Sequence, residues 1–233
     1  MSLDDDLEIE VATIFRSAWT THDGVTVPEA EDVKLGNEAV RLSATVLYAD
    51  LRDSTDLVDG KKTEFAAEVY KTFLHCAAKL IKNAGGVVTA YDGDRIMGIY
   101  IGNAKNTSAA DTALKINYAV QKIINPALVA QYTSSSYVVR HRVGIDTSDL
   151  FVARTGVRGS NDLVWVGRAA NHAAKLSALD GGYASYMTSD AYGMVNKSAK
   201  LANGTGAEMW AEREWTEFDG STIYASNWWR PVA

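Results

Sequence analysis

Apolar positions along the chain follow two rhythms, one helical and one of short continuous runs. Leu7, Val11, Ile14, Phe15 and Ala18 recur at helical spacing, so residues 4–19 predict a short amphipathic helix. Its acidic opening, Asp4-Asp5-Asp6, suits the helix dipole. His22 to Gly36 is mixed and reads as a loop. Residues 41–50 predict the first strand. Asp53-Ser54-Thr55 looks like a capped helix start, and Phe65, Val69, Phe73, Cys76 and Leu80 carry that helix to about Lys82 before Gly85-Gly86. Strands over 87–92 and 95–101 follow, joined by a tight turn at Asp92-Gly93. The pattern then predicts a helix over 107–125, a strand over 138–146, a long-armed hairpin over 150–166 and a helix over 169–179 stopped by Gly181-Gly182. Short strands near 208–215 and 222–229 complete the chain. Alternating helices and hairpins predict an α+β fold with a mostly antiparallel sheet flanked by helices. The expected division is residues 1–41 as N-terminal helix and loop, 42–190 as the core, and 191–233 as strands completing the same domain.

Composition narrows the class. With 47% hydrophobic residues in 233, a packed core is expected. A formal charge of −6 argues against a general nucleic-acid binder. Cys76 is the only cysteine, so no intrachain disulfide or CxxC zinc site forms, and its apolar helical setting reads as a buried structural thiol. No apolar stretch approaches the ~20 residues needed to span a bilayer, and the acidic start is unlike a secretory signal. The expectation is a cytoplasmic protein without membrane insertion.

The chemistry concentrates at two aspartates. Asp50 ends the run Ala44-Thr45-Val46-Leu47-Tyr48-Ala49, and Asp94 sits between the strands Val87–Tyr91 and Ile96–Ile99. Carboxylates at the ends of adjacent strands can hold one or two divalent cations, which take hard oxygen ligands and share an anionic substrate. That is the outline of a phosphoryl-transfer site.

Three stretches carry a family likeness. They are Val46–Thr55, Tyr91–Met97, and Val143-Gly144-Ile145-Asp146 followed by Val164–Leu176. In order and spacing they resemble the class III nucleotidyl cyclases over roughly residues 42–190. The resemblance implies a head-to-tail homodimer with two equivalent interface sites. Asp50, Asp94 and the Leu51 carbonyl would ligate two divalent cations, Mn²⁺ or Mg²⁺. Asp53, Ser54 and Thr55 would offer amides to phosphate. Asn171 would orient the ribose, and Lys175 stands where the family usually has arginine, keeping the charge without the planar fork. Arg168 could cap the arm or pair with an acid, and, one turn before Asn171, could instead face phosphate or base.

Departures from the family pattern point to the base. Ala90 stands where adenylate cyclases carry lysine and guanylate cyclases glutamate. Val164 stands at the partner position, usually aspartate, threonine or cysteine. Neither hydrogen-bonds a purine edge. The Asp219-Gly220 turn lacks the lysine that many members place near there, leaving Arg158, Arg168 or Arg95 to serve the triphosphate. The altered pocket and the Ala49–Thr55 segment resemble the pyrimidine cyclases of Pycsar antiphage systems. That resemblance implies conversion of UTP to 3′,5′-cyclic UMP and pyrophosphate, with the product acting on a separate effector. A cationic donor such as Arg168 would suit uracil's two carbonyls. Cytidylate cyclase, adenylate cyclase and a non-catalytic cyclase-like binding module are the alternatives.

Overall fold

In the computed structural model, which describes residues 2–232, the apolar run around Val46 lengthens into strand β2 (Glu38–Leu51). It is buried on both faces. Leu47, Ala49 and Leu51 pack against helices α3 (Thr63–Asn83) and α4 (Lys105–Tyr118), while Val40, Leu42, Ala44 and Val46 pack toward α6 (Arg168–Ala178). Double-sided burial explains why β2 reads as a continuous apolar run instead of alternating. The strand order is β3 (Val87–Asp92), β4 (Arg95–Tyr100), β2, β5 (His141–Val157), β7 (Ser185–Thr188), β9 (Ser221–Ser226), β8 (Ala211–Trp215). β1 (Thr20–Asp23) pairs with β2, and β6 (Ser160–Val166) forms the hairpin arm on β5. Among the strand pairs of the described residues β1–β2 and β5–β7 are parallel and the rest antiparallel, so the sheet is mostly antiparallel, as the sequence pattern predicts.

Several boundaries differ from the sequence reading, each for a physical reason. Thr20–Asp23 is a strand and not the end of a helix or a loop, because its backbone finds partners in Glu38–Arg41. The helix expected from Asp53 to Lys82 is two helices, α2 (Ser54–Gly60) and α3, broken at Lys61-Lys62 after Gly60. The helix expected to stop near 125 continues through a π-helical stretch, Ala119–Ile124, into α5 (Asn125–Gln131). Pro126 removes one backbone donor, and the widened π turn accommodates the loss without ending the helix. The strand and hairpin arm expected on either side of Thr147-Ser148-Asp149 are one strand. Those turn-type residues are held in the β2 ladder, and Thr147 Oγ1 donates to the Ala44 carbonyl at 3.1 Å. The short β7 and the helices α7 (Ser189–Gly193) and α8 (Lys197–Lys200) were not expected at all.

Helix α1 (Leu3–Arg16) has a capping box between Ser2 and Asp5, and none of its residues is buried. Asn37 Nδ2 ties its last turn to the sheet, donating to the carbonyls of Ile14 (2.8 Å) and Ser17 (2.7 Å). Its apolar stripe therefore faces outward, with Phe15 86% exposed.

His141 is buried against Phe73, with Nε2 unpartnered. Burial first, and the neighbouring Arg142 charge second, pull its imidazole down to about 3 from 6.5. The unfolded chain takes up a proton below pH 6.5 and the native state does not, so this contribution is present above 6.5 and lost as pH falls toward 3. Urea titrations should show wild type losing about 2 kcal/mol relative to His141→Leu between pH 7.5 and 5. Parallel pH profiles for the two proteins would show that His141 is not the group responsible.

Candidate active site

The β2–β4 ladder sets Asp50 opposite Arg95. Asp94 immediately precedes Arg95, in a turn whose tightness depends on Gly93 at φ 61°. The two carboxylates thus meet at one end of the sheet. Burial raises the Asp50 carboxyl to about 6 from 3.8, and the Asp94 charge adds to the rise. Arg95, Arg142 and a hydrogen bond from the Leu51 amide oppose it without cancelling it. Asp94 Oδ2 is buried and has no hydrogen-bond partner. A desolvated, mutually repelling pair with an orphaned oxygen is destabilising by itself and fits a cation placed between them. Among the described residues no group of three or more His, Cys, Asp or Glu side chains gathers. A cation held by this pair would therefore complete its shell with oxygens of the backbone, substrate or water, and Leu51, the last residue of β2, supplies an adjacent carbonyl.

Basic groups surround the pair. Arg95 lies over the Tyr48 ring, 5.5 Å from its centroid, and bonds Asp92 at 2.6 Å. Arg142 stands opposite Asp50 in the β2–β5 register, is buried, and leaves Nε without a partner. Burial pulls its guanidinium below the usual arginine range. Arg52 and Arg142 share Asp180, at 2.6 and 3.5 Å. Arg140 Nη1 lies 4.0 Å from Asp53 Oδ2. The sequence reading passed over Arg140 and Arg142. The visible signal was two arginines flanking His141 just before the Val143–Asp146 stretch.

Asp53 precedes α2 in a left-handed conformation, φ 59° and ψ 32°, and its side chain makes no capping bond. The expected Asp53 cap is therefore a strained turn instead, a conformation that non-glycine residues keep only where surroundings impose it. Ser54 and Thr55 open α2 behind it.

The two base-facing positions of the sequence reading lie on different elements. Ala90 packs with Tyr48 against the α6-side core, next to a bulge in the β3–β4 ladder at Thr89, whose buried hydroxyl has no partner. Val164 lies on the arm strand β6 and is 39% exposed.

Helix α6 carries the other residues. Asn171 and Lys175 are both exposed, and Lys175 Nζ lies 5.1 Å from the Phe218 ring centroid. Arg168, expected as a donor to substrate, is occupied by the protein. Nε lies 3.3 Å from Asp146 and Nη1 2.6 Å from Asp190, while Nη2 donates to the Thr147 carbonyl at 2.8 Å. The helix and Asp50 share one face of the sheet, but Gly144 seats against Ala173 and Ser177, and Arg142, opposite Asp50, reaches Asp180. Asp50 therefore lies past the C-terminal end of α6. Asn171 sits seven residues before that end, about 10 Å along the helix. Asn171 and the Asp50–Asp94 pair are thus separated within one chain.

No family model matches the chain. It is 51% identical to the uridylate cyclase of Xanthomonas perforans, over 99% of both chains. It is 50% identical to the uridylate cyclase of Burkholderia cepacia, over 98% of both. The fold superposes on the crystal structure of the adenylyl cyclase CyaB from P. aeruginosa with a TM-score of 0.67 at 20% identity, covering 81% of this chain and 95% of that one. Half of all positions identical over nearly the full length, on a cyclase fold, place this chain in the uridylate cyclase family of class III nucleotidyl cyclases.

Proposed function

We propose that the protein is a homodimeric uridylate cyclase that converts UTP to 3′,5′-cyclic UMP and pyrophosphate. The observation that carries this reading is the facing Asp50–Asp94 pair with its unpartnered buried oxygen. Asp50, Asp94 and the Leu51 carbonyl would hold two divalent cations, Mn²⁺ or Mg²⁺. Such ions lower the pKa of the ribose 3′-hydroxyl and neutralise charge on the triphosphate. The 3′-hydroxyl gives up its proton to solvent, the O3′–Pα bond forms as the bond from Pα to the β-phosphate oxygen breaks, and pyrophosphate leaves with that bonding pair. Since the nucleophile and phosphate belong to one molecule, positioning supplies much of the rate. Amides of Asp53, Ser54 and Thr55 receive phosphate oxygens, and Arg142 supplies positive charge beside Asp50. Asn171 of the partner subunit orients the ribose, and Lys175 of the partner subunit faces the phosphate charge.

Two features support the dimer. The half-sites of one chain are separated along α6. Apolar side chains are exposed on the arm and on α1, including Val157 (67%), Val166 (54%) and Phe15 (86%). Ala90 and Val164 leave a purine edge unpaired, which favours a pyrimidine. The names of the full-length relatives support uridine over cytidine. No helix among the described residues is long and apolar enough to cross a membrane. We assign the enzyme to the cytoplasm and to Pycsar-type antiphage signalling, with cyclic UMP acting on a separate effector.

The test is product analysis by chromatography after incubating the protein with Mn²⁺ and each of the four NTPs. Cyclic UMP from UTP as the main product is expected. Cyclic CMP or cyclic AMP as the main product would reassign the substrate. Nucleotide binding with no product from any NTP would make the protein a binding module.

A further inference from the structure

Asp146 is fully buried in β5, with one oxygen hydrogen-bonded and the other, Oδ2, without a hydrogen bond but within ion-pair distance of two side chains on α6. Thr188 Oγ1 donates to its Oδ1 at 2.5 Å. Its Oδ2 lies 3.3 Å from Arg168 Nε and 3.2 Å from His172 Nδ1, both on α6. Arg168 Nη1 continues to Asp190 on α7 at 2.6 Å. His172 is edge-on to both Trp215 and Phe218, which stack on each other. A carboxylate in such a dry position is costly unless it is paired, so its retention asks for a purpose.

The rest of α6 is seated as tightly. A Cβ on Gly144 would lie 2.0 Å from the Ala173 carbonyl oxygen, and one on Gly167 2.7 Å from Leu150 Cδ2. Ser148 Oγ accepts the Ala169 amide at 3.0 Å. These backbone contacts set the helix height above the sheet. The ion-pair contacts of Arg168 and His172 add a further constraint on rotation about the helix axis. Arg168, His172 and Lys175 recur at helical spacing, so Asp146 grips two positions of a row that ends in Lys175, with Asn171 beside it.

We propose that Asp146 is a positioning residue: by holding Arg168 and His172 it fixes the rotation of α6 and so aims Asn171 and Lys175 into the active site of the other subunit. It touches neither substrate nor cations. This inference rests on the shared-site reading above and adds the element that makes the donated half-site rigid. Displacing a reacting geometry by about 1 Å can cost on the order of 100-fold in rate. Asp146→Asn keeps the shape and the Thr188 contact while weakening the hold on Arg168 and His172. It should lower kcat on the order of 100-fold while Mn²⁺ affinity, read by EPR, stays unchanged.

The deciding experiment is complementation between inactive chains, with Asp50→Ala plus Asn171→Ala as the control for the shared site. If that control pair fails despite exchange, the shared-site reading fails. If the control succeeds, Asp146→Asn should be rescued by Asp50→Ala and not by Asn171→Ala, because its defect lies in the same half as Asn171. A merely structural defect would damage both halves. Rescue by Asn171→Ala, rescue by neither, or full activity of Asp146→Asn alone would each overturn the proposal. Should Asp146→Asn fold poorly, His172→Phe retains the aromatic contacts but removes one partner of the carboxylate. It should fall in the same complementation group with a loss of about tenfold, and a different group would overturn the proposal.

Discussion

Asp94→Asn is expected to lower kcat about a thousandfold, equivalent to about 4 kcal/mol of transition-state stabilisation. The substitution preserves the shape of the turn after Gly93 but removes a charge whose Oδ2 has no other partner. In metal-free protein its effect on stability should have the opposite sign. Asp94 contributes to the repulsion that raises Asp50, so its neutral replacement should bring the Asp50 carboxyl back down and leave Tm unchanged or up to about 4 °C higher. Enzyme assays and metal-free calorimetry on the same preparation measure both. Lost activity with a sharply lowered metal-free Tm would mean that Asp94 serves the fold and not a cation.

The second large effect is recovery. Asp50→Ala and Asn171→Ala chains should each be nearly inactive alone. Mixed under conditions of subunit exchange, half of the dimers carry both substitutions in different chains, and each mixed dimer holds one site with neither defect. Activity should return to about a quarter of wild type. The separation within one chain motivates this, because Asp50 lies past the end of α6 and Asn171 lies in its first turns. Mass spectrometry of the mixed dimer verifies exchange. Exchange without recovery would mean that each chain supplies all of its own site.

The architecture was legible where burial shaped the residue choice. Asp50 and Asp94 stand out because each interrupts an apolar run, and β2 and β4 owe those runs to packing on both faces. Helix α6 was legible because Ala169, Ala170, Ala173 and Leu176 form one buried stripe. The unpredicted parts depend on contacts distant in sequence. Thr147-Ser148-Asp149 has turn chemistry, and only the ladder with Ser43–Thr45 makes it strand. β7 is short and gains its partners from β5 and β9. The acids that pair with Arg168 were not legible because Asp146 and Asp190 lie 22 residues away on either side. Likewise nothing local shows that Arg142 faces Asp50, since that pairing is set by register across the sheet.

In the proposed arrangement one chain binds the cations and the other presents α6 to the substrate. A crystal structure with Mn²⁺ and a non-reactive UTP analogue tests it most directly, using manganese anomalous scattering. Manganese is expected within coordination distance, about 2 Å, of carboxylate oxygens of Asp50 and Asp94, with Asn171 of the partner subunit at the ribose. Manganese bound elsewhere, or a ribose contacted by Asn171 of the same chain, would contradict it.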